Sequence, residues 1–461
     1  MRSKPETERK YEADPGTGLP ELPGVVAGPQ QITLDAVYYD TPDLKLIRSG
    51  LTLRRREGGD DEGWHLKVPV AEDTREEIHL PLNAKTTPPK EFTDLTLGYT
   101  RGAEVAPVAR IRTDRTRWEI VGEQGKPRAE VTNDEVTASR TDEDSTTWRE
   151  IEVEGEPAAI EETEKVLRSA GFRRSSASSK LARVLAVDKI TPVGPDRESS
   201  SGKTVMAYIT EQVEKIKHYD ILVRQGVDDS VHQMRVTTRR LRSTLRVYRR
   251  LLASGSLADE LQWLGQRLST ARDLEVQYAR IRDTVAQLPT ELAVGPVQAR
   301  LTRYFAPEQE KARKNVLKTL RTKRYLALLD RLDALVDDPP LTENAARKGR
   351  KELPKHLDHA ERKIGKRLRA GDVHRARKAA KRLRYALESA VPVLGEKADK
   401  ARKRAKRLTK QGGEYQDAVV AQPLLRTLGM QAHAAGENGF TFGLLYGREE
   451  ANAERAHSRM R

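Results

Sequence analysis

VHRARKAAKRLRYALE, residues 373–388, reads as a helix, and VHQMRVTTRRLRSTLR, residues 231–246, is its near-copy 142 positions earlier. In each copy a histidine is followed by basic residues at +3, +7, +8 and +10. The first set is His232, Arg235, Arg239, Arg240 and Arg242; the second is His374, Arg377, Lys381, Arg382 and Arg384. At about 100° per residue, positions 0, +3, +7 and +10 share a stripe about 80° wide, and only the +8 base lies off it. Met234, Leu241 and Leu245 in one copy, and Ala376, Leu383 and Leu387 in the other, take a different arc and mark a core face. Like charges stacked at i, i+3 and i+4 repel by a few tenths of a kcal/mol per pair. One such helix alone would read as a solvated, arginine-rich face. Two copies with matched positions point to a polyanion that neutralises them. Arginine suits phosphate because its planar fork stays charged and donates in pairs. The histidines can donate to an anion or sense pH.

The 461 residues are ample for two or three domains. The formal charge of +15 is unevenly spread: residues 1–200 hold 30 basic against 38 acidic side chains, and residues 201–461 hold 54 against 31. The second half, at +23, therefore calls for an anionic partner. The absence of cysteine excludes disulfides, thiolate metal sites and thiol nucleophiles. MRSKPETERKYEAD at the start has no apolar signal core, and no apolar run approaches the roughly 20 residues of a membrane span. The expectation is a cytoplasmic protein with no membrane partner.

Residues 1–185 read mostly as strands broken by Gly, Pro and Asp clusters. Their charges alternate, so that each set shares one strand face. Glu6, Glu8 and Lys10 do so, as do Arg54 with Arg56, His65 with Lys67, and Arg75, Glu77 and His79. Arg115, Arg117 and Glu119 alternate, and Glu150, Glu152 and Glu154 alternate with Ile151 and Val153. Glu130 and Asp134 lie in AEVTNDEV, and Lys180 in SSKLARVL. If the sheet closes, these faces line a polar bore with the apolar faces packed outside. Its bases suit phosphate oxygens, and its carboxylates suit a hard cation such as Mg²⁺ or Mn²⁺.

ETERK at 6–10 resembles the ExExK signature of CYTH domains, the triphosphate tunnel metalloenzymes. YYDTPDLKLIRSGLTLRRR (38–56), WHLKVP, REEIHLPL, WREIEVE and SSKLARVL resemble that family's later motifs, in its order. The resemblance covers residues 1–186 and implies an eight-stranded antiparallel barrel around a tunnel. It implies metal ligation by Glu6, Glu8, Glu150 and Glu152, with Glu154 and Asp134 as further ligands. Lys10, Arg54, Arg56, Lys67, Arg75, Arg115, Arg117 and Lys180 would cradle a triphosphate. Catalysis would fall to Glu6, Glu8, Lys10, Glu150 and Glu152, in metal-dependent hydrolysis of a triphosphate-like substrate.

Residues 188–204, DKITPVGPDRESSSGKT, have the composition of a linker. Helical periodicity follows, over 261–285, over 300–336 with an interruption near Pro307, and over 347–370. STARDLEV (269–276) answers GGEYQDAVV (412–420), which sets Asp273 against Asp417. The spacing predicts two pseudo-repeated helical bundles sharing a core. VHQMRVTTRRLRSTLR, ARDLEV, HRARKAAKRLRYALE and GEYQDAVVA resemble the CHAD domain, along roughly 203–452. That resemblance implies basic helical faces meeting in a groove that binds inorganic polyphosphate, with Lys378 joining the two stripes. One departure stands out: Glu388 occupies the position of Arg246 in the first copy.

The expected domains are a tunnel at 1–187, a linker at 188–202 and a helical domain at 203–455. The expected function is polyphosphate binding by the helices and hydrolysis of inorganic triphosphate or polyphosphate ends in the tunnel, with Mg²⁺ or Mn²⁺. The expected setting is the cytoplasm, at polyphosphate granules. The alternative is a polyphosphate-binding protein without turnover. Nucleic acid would bind only weakly and with steep salt dependence, because the basic stripes carry little aromatic interleaving.

Overall fold

In a computed structural model, the described residues are 2–14, 16–71, 73–122, 125–141, 144–187 and 194–458. The first part of the expected linker, 188–193, and the side chain of His374 lie outside this description. The chain divides into two compact units, Met1–Thr191 and Pro192–Arg461.

In the first unit, β1 (Arg2–Glu12), β2 (Val25–Asp40), β3 (Thr52–Glu57), β4 (Gly63–Ala71), β5 (Thr74–Pro81), β6 (Ala106–Val121), β7 (Pro127–Arg140) and β8 (Thr146–Gly155) form one antiparallel sheet. Its spatial order is β5-β4-β3-β2-β6-β7-β8-β1, and β1 also pairs with β5, which closes the ring. The expected eight-stranded barrel is therefore present. Residues alternate across the wall because successive side chains on a strand face opposite ways. On β8, Ile151 and Val153 are fully buried outside the barrel, among Tyr11, Val131, Ile160, Leu167 and Phe172. Burying each is worth roughly 1.5–3 kcal/mol. That burial fixes the register, and the register sends Glu150, Glu152 and Glu154 to the inner face.

The helix Lys180–Leu185 begins at Ser179, whose Oγ accepts from the Ala182 amide at 3.0 Å. Leu181, Ala182 and Leu185 pack with Ala36, Tyr38, Ile111, Val136 and Ala138. These are inward-facing positions, so the helix covers one end of the bore. The motif around Asp40 has a structural cause as well. Its buried carboxylate accepts from the amides of Leu46 and Ile47, each at 2.9 Å, and of Thr41 at 2.7 Å. It thereby ties the turn Lys45–Arg48 to the end of β2 just before β3. Asp40→Ala is expected to cost about 3 kcal/mol, because several buried amides lose a charged acceptor together. A lower urea midpoint at unchanged slope would report it.

Among the described residues, the second unit holds ten α-helices. They are Ser201–Gln225, Ser230–Val247, Leu257–Arg267, Ser269–Ala286, Val297–Thr319, Lys323–Asp337, Gly349–Arg369, Val373–Leu394, Glu396–Ala434 and Phe440–Ser458. The single helix expected over 261–285 is instead two, meeting at Leu268. The interruption expected near Pro307 comes later: Val297–Thr319 runs through Pro307. The next helix starts where the Thr322 hydroxyl caps the Tyr325 amide at 3.3 Å. A side-chain cap competes directly with helix continuation, so it marks the boundary. Met234, Leu241 and Leu245 share one core with Leu383 and Leu387, so a single apolar cluster holds both basic helices. A smaller core gathers Ile281, Leu301, Phe305, Leu425, Leu428 and Phe442.

Candidate active site

The bore encloses a cavity of about 320 Å³. Lys4, Glu6, Glu8 and Lys10 reach it from β1, Arg54 and Arg56 from β3, Lys67 from β4, and Arg75 and Glu77 from β5. Arg115 and Arg117 come from β6, Glu130 from β7, Glu152 and Glu154 from β8, and Lys180 from the covering helix. Asp134 and Glu150 join through Lys180. The residues expected to bind metal or phosphate are thus brought together, whereas His79 and Glu119 do not line the cavity.

The charges interlock. Lys67 Nζ lies 2.6 Å from Glu6 and 3.8 Å from Glu77, and Arg75 lies 3.3 Å from Glu8. Lys10 pairs with Glu152 and stands 3.4 Å from Glu8. Arg115 holds both oxygens of Asp134, at 2.7 and 2.6 Å, and Glu152 at 2.9 Å. Arg54 donates to the Tyr38 hydroxyl at 3.4 Å and meets Glu77 at 3.5 Å.

Two carboxylate sets differ in how well their charge is met. Asp134, Glu150 and Glu152 are close enough to share one cation. The Lys180 ammonium sits among them at 2.8, 2.8 and 2.7 Å. Burial works against that ammonium, but the three carboxylates outweigh it and hold its pKa well above the usual lysine value. Glu6, Glu8 and Glu154 are met unequally. Glu8 and Glu154 stand opposite each other across β1 and β8. Burial pushes the Glu6 carboxyl up to about 8 despite Lys67 beside it. Glu154 is also raised by burial. Burial works to raise Glu8 too, yet Lys10 and Lys67 hold it at about 2. Glu6 and Glu154, both raised by burial, are carboxylates short of positive charge and suit a hard divalent cation, whereas Glu8 beside them is already met by Lys10, Lys67 and Arg75. A third group, Asp61, His65 and Glu77, is compact enough for a cation. Arg56 pairs with Asp61 and Arg54 with Glu77, which disfavours a further positive charge there.

In the helical unit, Ser230–Val247 and Val373–Leu394 border a groove of about 500 Å³. Arg235, Arg239, Arg242 and Arg246 line it from one helix, and Lys378, Lys381 and Arg382 from the other. Gln262, Gln266 and Ser269 complete one wall. Burial, together with the charges of Arg377, Arg239, Arg235 and Arg384, lowers Lys381 to about 8. Burial likewise brings Arg242 down to about 10, with Arg246 and Arg382 adding to the effect. These are crowded cations short of counter-charge.

Not every expected base lines this groove. Arg240 turns to Glu388 at 3.1 Å, and Arg384 stands 3.8 Å from the same carboxylate. Tyr208 donates to Glu388 at 2.9 Å. The one acidic mismatch between the two copies is therefore a counter-charge. His232 is half-buried, and its Nδ1 makes no hydrogen bond. Arg377 is influenced by Asp417, as Arg235 is by Asp273 at 3.3 Å. The repeat thus preserves an Asp facing the +3 arginine.

Residues 4–184 match the CYTH domain family, and residues 207–426 match the CHAD domain family. The uncharacterized protein Rv2226 of Mycobacterium tuberculosis is 35% identical over 491 residues, spanning 99% of this chain and 94% of its own. This chain belongs to the family that joins a CYTH domain to a CHAD domain. The thiamine-triphosphatase of Homo sapiens is 46% identical over 68 residues, which is 14% of this chain and 27% of that protein. PptA from Streptomyces chartreusis superposes with a TM-score of 0.45 at 17% identity, over 57% of this chain and 98% of its own.

Sequence reasoning missed several groups in the CYTH tunnel. Tyr38 faces inward beside Arg54, and its place in YYD gave no charge signal. Asp60 and Asp61 reach the bore from a turn, where no periodicity marks direction. Ile32, Leu34, Ala36 and Ile111 add an apolar stretch of wall. In the CHAD groove, Arg246 extends the basic row beyond +10, one helical turn after Arg242. Among the described residues, no helix is long and apolar enough to cross a membrane.

Proposed function

We propose that the CYTH tunnel hydrolyses inorganic triphosphate and polyphosphate ends with Mg²⁺ or Mn²⁺, while the CHAD groove binds inorganic polyphosphate. One observation carries the reading: a closed bore in which carboxylates short of counter-charge lie beside a dense set of lysines and arginines. The CYTH match and the likeness to a thiamine-triphosphatase support activity on a triphosphate. Inorganic triphosphate is placed first because the CHAD partner recognises successive phosphates, an argument by analogy.

In this reading Lys10, Arg54, Arg56, Lys67, Arg75, Arg115, Arg117 and Lys180 bind the phosphate oxygens. Glu6, Glu8 and Glu154 hold the cation, which neutralises charge on the phosphoryl group when bound. Glu150, Glu152 and Asp134 hold Lys180 and Arg115 in place, so that cations are aimed before substrate arrives. No covalent nucleophile is required, because water is the attacking group. The CHAD domain retains polyphosphate and brings the protein to cytoplasmic polyphosphate granules.

Protons report the cation site directly. With Glu6 at about 8, that carboxyl is mostly protonated at pH 7, and a proton blocks ligation. Binding of Mg²⁺ at pH 7 is expected to release close to one proton, and affinity is expected to rise with pH until about 8. Calorimetry in buffers of different ionisation enthalpy measures this; no proton release would place the cation elsewhere.

The activity test is phosphate release from inorganic triphosphate, ATP and long-chain polyphosphate, with Mg²⁺, with Mn²⁺ and with chelator. Metal-dependent release from triphosphate is the expected result. No release from any of them would sink the hydrolase reading. A second reading, binding without turnover, would then stand. It is favoured by the Lys180 ammonium already filling one carboxylate cage.

A further inference from the structure

The turn between β3 and β4 folds toward the open mouth of the tunnel. Gly58 and Gly59 both take positive φ, 83° and 78°. A Cβ on Gly58 would lie 2.3 Å from the Thr33 carbonyl oxygen, so the turn presses on β2 as only glycine permits. His65 Nε2 approaches the Asp61 carbonyl at 2.9 Å and pins the turn from inside. Two carboxylates are thereby set at the mouth. Asp61 pairs with Arg56, and Asp60 lies 3.2 Å from Arg117. Glu130 stands 3.7 Å from Arg117 on its other side. The Asp60 and Asp61 side chains are 82% and 58% exposed, so they do not serve the core.

The two ends of the bore therefore differ. The helix Lys180–Leu185 packs at the Ala109–Ile111 level of β6. Asp60 contacts β6 at Arg117, about 20 Å further along at roughly 3.3 Å per residue. A phosphate chain longer than the cradle that leaves at this end passes Asp60, Asp61 and Glu130, beside the Lys4–Glu154 pair. Each additional phosphate brings negative charge against that rim, and Arg56 and Arg117 are already engaged there.

We infer that Asp60 and Asp61 limit the chain length of the substrate, favouring triphosphate over long-chain polyphosphate by repelling what protrudes. The inference rests on the proposed hydrolase reading. Specificity of this kind comes from an unfavourable contact with the competitor and needs no added contact to the preferred ligand.

The test compares full-length wild type with Asp60→Asn/Asp61→Asn for kcat/KM on inorganic triphosphate and on long-chain polyphosphate. Both carry Arg239→Ala/Lys381→Ala, so that capture by the helical unit does not contribute. The double variant is expected to narrow the preference for triphosphate by about tenfold, through the KM for the long chain. Asp60→Asn alone, an exposed change with no cost to folding, is expected to narrow it by about threefold. An unchanged ratio in a variant that still hydrolyses triphosphate overturns the inference and leaves the hydrolase reading intact. If wild type hydrolyses neither substrate, the hydrolase reading falls. The same ratio is then read from binding of the two phosphates to the tunnel, and an unchanged binding ratio overturns the inference.

Discussion

Glu6→Ala/Glu8→Ala is expected to lower metal-dependent phosphate release by about a thousandfold or more, on the order of 4 kcal/mol at the transition state. Both carboxylates lie on one strand and face one bore, so a single pair of changes empties most of the proposed cation site. The change also strips Lys67 of its partner at 2.6 Å and Arg75 of its partner at 3.3 Å. At pH 7 the bore gains about one unit of net positive charge, from the loss of Glu8, because Glu6 is mostly protonated there. Triphosphate binding therefore holds or tightens while turnover collapses, so kcat falls and KM does not rise. A role in phosphate binding alone would give the opposite split. Lys67 then keeps only Glu77, at 3.8 Å, and a buried lysine less fully paired is costly, so some stability is lost. Glu6→Gln/Glu8→Gln keeps the shape and controls for that loss. Near-normal turnover in a folded Gln variant would remove these residues from the chemistry.

Arg239→Ala/Lys381→Ala is expected to act on the other half of the molecule and with mixed sign. Polyphosphate affinity should fall by about a hundredfold near physiological salt, and the dependence of log K on log salt should flatten by about two units. Melting temperature should rise, because the crowded groove loses mutual repulsion. A variant that bound less because it was unfolded would melt lower. The pH dependence carries the same signature. Lys381 has a folded pKa of about 8, below its ordinary value of 10.5. Between those values the unfolded chain binds more protons, so wild-type stability rises with pH across that window. In the variant the Lys381 part of that rise disappears. Polyphosphate binding by wild type should weaken as pH climbs above about 8, where Lys381 gives up its charge. Triphosphate hydrolysis should be unaffected by the groove change.

Much of the tunnel was legible in the sequence because strand periodicity is a direct statement of direction. WREIEVE shows both faces at once: isoleucine and valine must be buried, so the three glutamates must face the other way. ETERK and TLRRR work similarly. Closure was not legible from periodicity alone, since an open sheet gives the same alternation. The β1–β5 pairing that makes the bore is a contact between strands some 70 residues apart. The fate of Asp134, Glu150 and Glu152 was also hidden. Their spacing fits a metal, but the ammonium that sits among them comes from a helix after the barrel. The helical half was legible as a repeat of charge. The repeat predicted equal use of both stripes. Packing broke that equality: Lys378 and Arg382 line the groove, while Arg384 and Arg240 face Glu388. The mismatch of Glu388 with Arg246 was the sequence's own marker of that asymmetry.

The groove draws its cations from two helices separated by more than a hundred residues of chain, Ser230–Val247 and Val373–Leu394. During synthesis from the N-terminus, a ribosome-bound chain that has reached only the first helix carries half a binding site. Its arginines lack the second row of charges, and its core face lacks the packing supplied by Leu383 and Leu387. In the proposed reading, polyphosphate capture therefore waits until the later helix has emerged and docked. The long sequence separation slows the docking step, and in the proposed reading it reserves the complete groove for finished molecules.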